Sequence, residues 1–158
     1  MLRNTHDVKQ CWNEVSALLE RWLSERKALL VHFCTVSELQ SSSTNTTDII
    51  NPQQKNFQGF CEVLVDYVSA GHFEIYEQLL QESALFRDGH VEMVERLYTV
   101  IAKTTAIVLN FHDKCMSLKP KSDLTHDLSV LGLALETRFA AEDYLIDVLH
   151  NAHKPAIS

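Results

Sequence analysis

The chain has 158 residues, of which 46% are hydrophobic, with only four Gly and three Pro and a formal net charge of -7. This length predicts one domain that can bury a core, and the scarcity of breakers favours helices over strands. The negative charge argues against direct nucleic-acid binding but leaves a basic protein partner open.

The first helix is predicted over residues 8–39, because apolar residues recur there at three- and four-residue steps. Residues 40–56 are polar and rich in Ser, Thr and Asn, so they predict a mobile loop that is long for a compact bundle. A second helix is predicted over about 53–69. Its apolar side carries Phe57, Phe60, Cys61, Leu64, Tyr67 and Val68.

Gly71 is expected to stop or sharply kink the chain, because glycine adopts positive φ at little cost. A third helix over about 72–85 follows. Asp88-Gly89 marks the next turn, with Asp88 as a candidate N-cap.

The fourth helix is predicted over about 90–117, and Lys119-Pro120-Lys121 ends it. The last helix is predicted over about 122–151, with a short tail after it. Long amphipathic helices cover their apolar stripes by packing side by side. The predicted fold is therefore an all-α, single-domain antiparallel four-helix bundle whose second arm is broken near Gly71.

No stretch reaches the roughly 18 apolar residues of a transmembrane helix, and the polar N-terminus is unlike a signal peptide. We therefore expect a cytoplasmic protein that does not enter the membrane. The four cysteines lie far apart within apolar helical stripes and are expected to be reduced core thiols. They are Cys11, Cys34, Cys61 and Cys115.

Sequence patterns for catalysis and metal binding are missing. No Glu has a His three residues later, as carboxylate di-metal bundles require, and the four glycines are isolated. His150 and His153 share a helical face but are expected near a fraying end. We therefore expect no enzyme activity, no cofactor and no metal.

Negative charge is concentrated in two segments. Residues 57–86 hold five acids and no Lys or Arg, and residues 123–147 hold six acids and one Arg. Solvated helix faces are the ordinary interpretation of such segments, and a surface for a basic protein is the alternative.

Trp22 and Tyr76 suit either a core or an interface. Phe73 favours exposure, because it follows Gly71, where the helix axis changes.

Three blocks of residues carry a resemblance to a known family. The first is Arg21-Trp22-Leu23, Arg26-Lys27 and Leu29-Leu30-Val31; the second is Phe60-Cys61, Leu64-Val65-Asp66-Tyr67, Ser69-Ala70-Gly71-His72-Phe73 and Ile75-Tyr76-Glu77; the third is Gly132, Ala134-Leu135-Glu136, Arg138-Phe139, Glu142-Asp143 and Leu145-Ile146. In this order the blocks resemble the Rsd/AlgQ family, the regulators of sigma D. Residues 85–121 carry no motif of that family.

The resemblance implies an all-helical anti-sigma factor. Such a protein binds the C-terminal domain of the housekeeping sigma factor, which reads the −35 promoter element, and keeps it from core RNA polymerase when growth slows in stationary phase. One-to-one binding is expected. The alternative function is a metabolic adaptor that binds a phosphotransfer-system carrier protein or an alarmone enzyme.

At the positions that match the family motif, the resemblance also implies which side chains face sigma. They are Asp66, Ser69, His72, Phe73 and Tyr76, with Arg21 and Trp22 of the first helix as neighbours. Asp66 and Phe73 are seven residues apart, about two helical turns, so they share one side if Gly71 only kinks the helix.

Overall fold

A computed structural model describes residues 5–41, 50–86, 89–116 and 124–157. These residues form helices and contain no strand, which confirms the predicted all-α class. The elements are α1 (Thr5–Ser41), α2 (Ile50–Ala70), a π turn (Gly71–Ile75), α3 (Tyr76–Phe86), α4 (Val91–Met116), α5 (Leu124–Leu149), a 3₁₀ turn (Asn151–His153) and α6 (Lys154–Ile157).

The long helices form an antiparallel four-helix bundle in which α2, the π turn and α3 together make the second arm. In each pair of neighbouring helices, contacts further along one helix meet residues with lower numbers in the other, as antiparallel packing requires. The pairs are Trp22–Tyr67 and Phe33–Phe60 for α1 and α2, and Thr104–Arg138 and Lys114–Asp127 for α4 and α5. They are Arg26–Asp143 for α1 and α5, with Trp12–His150 directly after the end of α5, and Phe60–Phe111 and Tyr76–Tyr98 for the second arm and α4.

The predicted apolar stripes form the core. All six residues expected on the apolar side of α2 are buried, and so are Val15, Leu19, Trp22, Leu29 and Val36 of α1. The prediction that all four cysteines lie in the core is wrong for Cys34, which is exposed, whereas Cys61 is buried. Among the described residues, none of the helices combines the length and apolar character that crossing a bilayer requires.

The loop predicted over residues 40–56 is shorter at both ends in the structure, because α1 continues to Ser41. Helix α2 begins at Ile50, so residues 50–56 are helical and not part of a loop. Pro52 lies in the first turn, where a missing backbone N–H removes no helical hydrogen bond. Residues 42–49, Asp88 and Lys119-Pro120-Lys121 lie outside the described residues.

The C-terminal segment after residue 149 is packed against the bundle. The 3₁₀ turn and α6 replace the predicted tail, and His150 and His153 are buried rather than near a fraying end. Their hydrogen-bond partners come from α1 and α3.

Gly71 neither stops the helix nor adopts positive φ. The flanking residues Ala70 and Tyr76 both have right-handed helical angles, and among the described glycines only Gly89 has positive φ, at 69°. Glycine is required at position 71 for space: a Cβ there would lie 2.9 Å from Cζ2 of Trp22 and 3.3 Å from the hydroxyl of Tyr76. The helix therefore continues through the π turn, close against α1.

Candidate protein-binding surface

One outward face of the second arm is both acidic and aromatic. Glu62, Asp66, Ser69 and Phe73 follow each other at steps of four, three and four residues, so they line one side of the helix. Phe73 is 74% exposed. His72 is also exposed and meets Phe73 edge to face, with ring centroids 4.8 Å apart. We call this face, with Glu74 and Glu77, the π-turn surface.

Four of the five acids expected in this segment are exposed. They are Glu62, Asp66, Glu74 and Glu77. The fifth, Glu82, is fully buried and contacts two histidines, so it is not part of the exposed acidic surface. Residues 57–86 contain no Lys or Arg, so within this stretch no such side chain neutralises the four exposed carboxylates.

The remaining residues expected to face sigma lie in different environments. Ser69 is half-buried at the edge of the π-turn surface, and Arg21 is exposed on α1. Trp22 and Tyr76, in contrast, are only 2% and 5% exposed. The indole N–H of Trp22 donates to the carbonyl oxygen of Tyr67 at 3.2 Å, and the rings of Trp22 and Tyr67 stack with centroids 4.7 Å apart. Trp22 and Tyr76 therefore support the surface from beneath.

Directly under the π-turn surface, the buried carboxylate of Glu142 accepts hydrogen bonds from both sides of the π turn. The hydroxyl of Tyr67 donates to Oε1 at 2.6 Å, and that of Tyr76 donates to Oε2 at 2.5 Å. Arg26 and Arg138 also donate to it, at 3.3 and 3.2 Å. Four donors on one carboxylate satisfy its acceptor capacity without water.

Burial is the dominant influence on ionisation in this network. It raises the pKa of Glu142, and the charges of Arg138 and Arg26 together with the two tyrosine hydroxyls lower it. Burial, reinforced by the Glu142 charge, also raises the pKa of Tyr67 and Tyr76 far above their ordinary value, although the arginines oppose this. Both hydroxyls therefore remain protonated donors at neutral pH.

Arg138 extends the network to α4. Its side chain is fully buried and donates to the hydroxyls of Thr104 at 3.1 Å and Thr105 at 2.8 Å. At the other end, Arg26 donates to the exposed Asp143 at 2.5 Å, and its guanidinium carbon lies 4.6 Å from the ring centroid of Phe139. The network thus connects all four arms of the bundle.

A second buried cluster holds the C-terminal segment. Glu82 of α3 lies 2.5 Å from Nδ1 of both His150 and His153, and Nε2 of His150 lies 2.7 Å from the hydroxyl of Ser16. Trp12 stacks on His150, with centroids 4.4 Å apart, and donates to its carbonyl oxygen at 3.0 Å. Within the described ranges, no group of three or more His, Cys, Asp or Glu side chains is arranged to hold a metal ion.

Sequence reasoning missed both clusters. The one local signal was the spacing of Arg138 and Glu142, which places a cation and an anion one turn apart within an apolar stripe. The tyrosine partners are 75 and 66 residues away in sequence, and the histidine partners of Glu82 are 68 and 71 residues away. No periodicity reports contacts at that separation.

Comparisons with known proteins agree on one family. Residues 1–150 match the family described as "Regulator of RNA polymerase sigma(70) subunit, Rsd/AlgQ". The chain is similar to proteins named "Regulator of sigma D": it is 30% identical over 150 residues to that of Yersinia enterocolitica serotype O:8, covering 92% of this chain and 88% of the relative. It is 29% identical over 160 residues to that of Salmonella paratyphi B, covering 96% and 93%.

Proposed function

Because this chain belongs to the Rsd/AlgQ family of regulators of the RNA polymerase sigma(70) subunit, we propose that it binds the C-terminal domain of sigma(70) through the π-turn surface. The regulatory role follows from the family. The domain, the surface and the residues are our assignments.

The exposure of Phe73 is the observation that carries the assignment. Among the described residues Phe73 is the most exposed large hydrophobic side chain, at 74%. Aromatic side chains are enriched at the centres of protein interfaces, where polar groups form the rim. Four exposed carboxylates lie on the same arm as Phe73. An apolar anchor inside an acidic rim is complementary to a basic partner that has an apolar pocket.

The C-terminal domain of sigma is such a partner in its chemistry. A domain that reads promoter DNA presents Arg and Lys to phosphates and base edges. The carboxylates of Glu62, Asp66, Glu74 and Glu77 attract the basic side chains of sigma that otherwise bind DNA phosphates, and this attraction raises the association rate. Phe73 supplies most of the affinity.

Occlusion is sufficient as a mechanism. A one-to-one complex covers the DNA-reading face of sigma, so the bound domain engages neither the promoter nor core polymerase. This role needs no bond-making step and no cofactor, and it places the protein in the cytoplasm with the polymerase. Asp66, His72 and Phe73 are the assigned contacts, with Ser69 at the edge, Arg21 as a neighbour on α1, and Trp22 and Tyr76 as supports.

Titration calorimetry with the isolated sigma domain tests the proposal. The unmodified protein should bind one to one, and Phe73→Ala should weaken binding by about 2 kcal/mol or more, roughly 30-fold. Leu133→Ala is the matched control, because Leu133 is an equally apolar side chain, 68% exposed, on α5. No binding at tens of micromolar, or equal effects of the two substitutions, would contradict the assignment.

A further inference from the structure

The two tyrosines that flank the π turn are held by the same carboxylate. Tyr67 precedes Gly71 by one helical turn, and Tyr76 directly follows Ile75. Their hydroxyls donate to different oxygens of Glu142, at 2.6 and 2.5 Å. His72 and Phe73 lie between these two attachment points.

This arrangement is incompatible with a regular α-helix. Nine residues separate Tyr67 from Tyr76, which is about two and a half turns at 3.6 residues per turn, so a straight helix would direct the two side chains to opposite sides. The wider turn over Gly71–Ile75 changes this register and allows both hydroxyls to reach one carboxylate. The pair of hydrogen bonds to Glu142 therefore requires the π turn.

Other contacts favour the same register. Trp22 stacks on Tyr67 and meets Tyr76 edge to face at 6.2 Å, and its Cζ2 atom lies against the position where Gly71 lacks a Cβ. Arg138 donates to the hydroxyl of Tyr76 at 3.0 Å, and Arg26 donates to that of Tyr67 at 2.9 Å. π turns are rare in helices and often occur at functional positions.

We infer that Glu142, acting through the hydroxyls of Tyr67 and Tyr76, is a positioning residue that fixes the π turn and thereby the direction in which Phe73 and His72 project. The inference rests on the proposed function, in which Phe73 contacts sigma. Glu142, Tyr67 and Tyr76 touch no partner in this scheme. Loss of one hydrogen bond lets the π turn sample other registers, so the fraction of molecules that present Phe73 correctly falls.

The test is a double-mutant cycle with Tyr76→Phe and Phe73→Ala, measured as affinity for the isolated sigma domain. Tyr76→Phe removes only the hydroxyl and keeps the ring against Trp22 and Tyr98. It should weaken binding about tenfold in the unmodified protein and should have a much smaller effect once Phe73 is alanine, because only His72 then remains to be positioned. Tyr67→Phe gives a second cycle if Tyr76→Phe does not fold.

Val108→Ala controls for a general loss of stability. Val108 is fully buried on α4 and has no polar group to join the network. This variant should lower the melting temperature but leave the affinity unchanged. Amide hydrogen exchange of the free protein should accelerate selectively at residues 72–75 in Tyr76→Phe and not in Val108→Ala.

The outcomes separate the two hypotheses. If Phe73→Ala binds as well as the unmodified protein, the proposed surface is wrong, and the exchange rates then decide whether Glu142 fixes the turn. If Phe73→Ala weakens binding but Tyr76→Phe has its full effect in the Phe73→Ala background, the positioning role is overturned. Equal affinity losses in Tyr76→Phe and Val108→Ala would overturn it as well.

Discussion

Asp66 and Phe73 divide the work of binding between charge and apolar contact. Both are exposed and lie on the same face of the second arm, which the continuous helix through Gly71 makes possible. An exposed charge contributes little affinity, because water and salt screen it, but it raises the association rate and excludes partners of the wrong sign. A ring that enters a pocket contributes to affinity directly.

Asp66→Lys is expected to weaken binding to the sigma domain strongly, because it places a cation against a basic partner. The free energy of unfolding should change by no more than about 0.5 kcal/mol, since Asp66 is exposed. Glu136→Lys on α5 makes the same charge change at another exposed position and is the control. Calorimetric affinity and thermal melting of both variants provide the measurement. A large fall in melting temperature for Asp66→Lys alone would identify Asp66 as structural.

At the scale of elements, the second arm is the unusual part of the bundle. Its first half is an ordinary amphipathic helix, and its second half continues with a different register after the π turn. The change brings Tyr76, Leu79 and Glu82 inward and leaves Phe73 outside. The close approach of α1 at Gly71 is a condition for this geometry, because the indole of Trp22 occupies the space of a side chain.

Gly71→Ala is expected to destabilise the protein and to weaken sigma binding. The added Cβ would lie 2.9 Å from Trp22, whose ring is fixed by stacking on Tyr67 and by a hydrogen bond. Overpacking of this kind costs about 1–3 kcal/mol, which exceeds the gain of about 1 kcal/mol from replacing a helical glycine.

Gly59→Ala is the matched substitution in the same arm. The nearest atom to its added Cβ is Cε1 of His32 at 3.8 Å, an ordinary contact, so this variant should gain up to about 1 kcal/mol. Urea unfolding of both variants measures the difference. If Gly71→Ala is as stable as Gly59→Ala, Trp22 moves aside easily, and close packing at Gly71 does not define the π turn.

The sequence predicted the parts of this structure that local periodicity controls. The helices and the core residues of α2 were identified, and Phe73 is exposed as expected from its position after Gly71. The π turn was missed, because one change of register looks like either a kink or a break in a 3.6-residue pattern. The burial of Glu82 and Glu142 was missed, because their partners are distant in sequence.

Across the whole molecule, polar groups are separated by role. Glu142 is buried with partners from several helices and Glu82 with two histidines of the C-terminal segment, whereas Glu62, Asp66, Glu74 and Glu77 face solvent. The Glu142 network connects α5 with α1, α2, α3 and α4. The ionisation of its groups therefore depends on the whole fold and not on any one helix. Disturbing it should affect global unfolding.

The stability of the protein should therefore decline at alkaline pH. Burial raises the pKa of Tyr67 and Tyr76 in the folded state, and the charge of Glu142 adds to the effect. In the unfolded chain tyrosine ionises near pH 10, so above that pH the unfolded state binds fewer protons than the folded state. The stabilisation is complete below about pH 10. Above it, each protected tyrosine lowers the free energy of unfolding by about 1.4 kcal/mol per pH unit.

Urea unfolding at a series of pH values around 10, combined with tyrosinate absorbance, measures this dependence. In the folded protein Tyr67 and Tyr76 should contribute no tyrosinate signal, and their signal should appear only on unfolding. Tyr76→Phe removes one of the protected hydroxyls and should reduce the slope by the amount that one tyrosine contributes, whatever its effect on stability at neutral pH. An unchanged slope in this variant, or full tyrosinate absorbance before unfolding, would mean that the hydroxyls beside Glu142 are accessible to solvent and do not hold the four arms together.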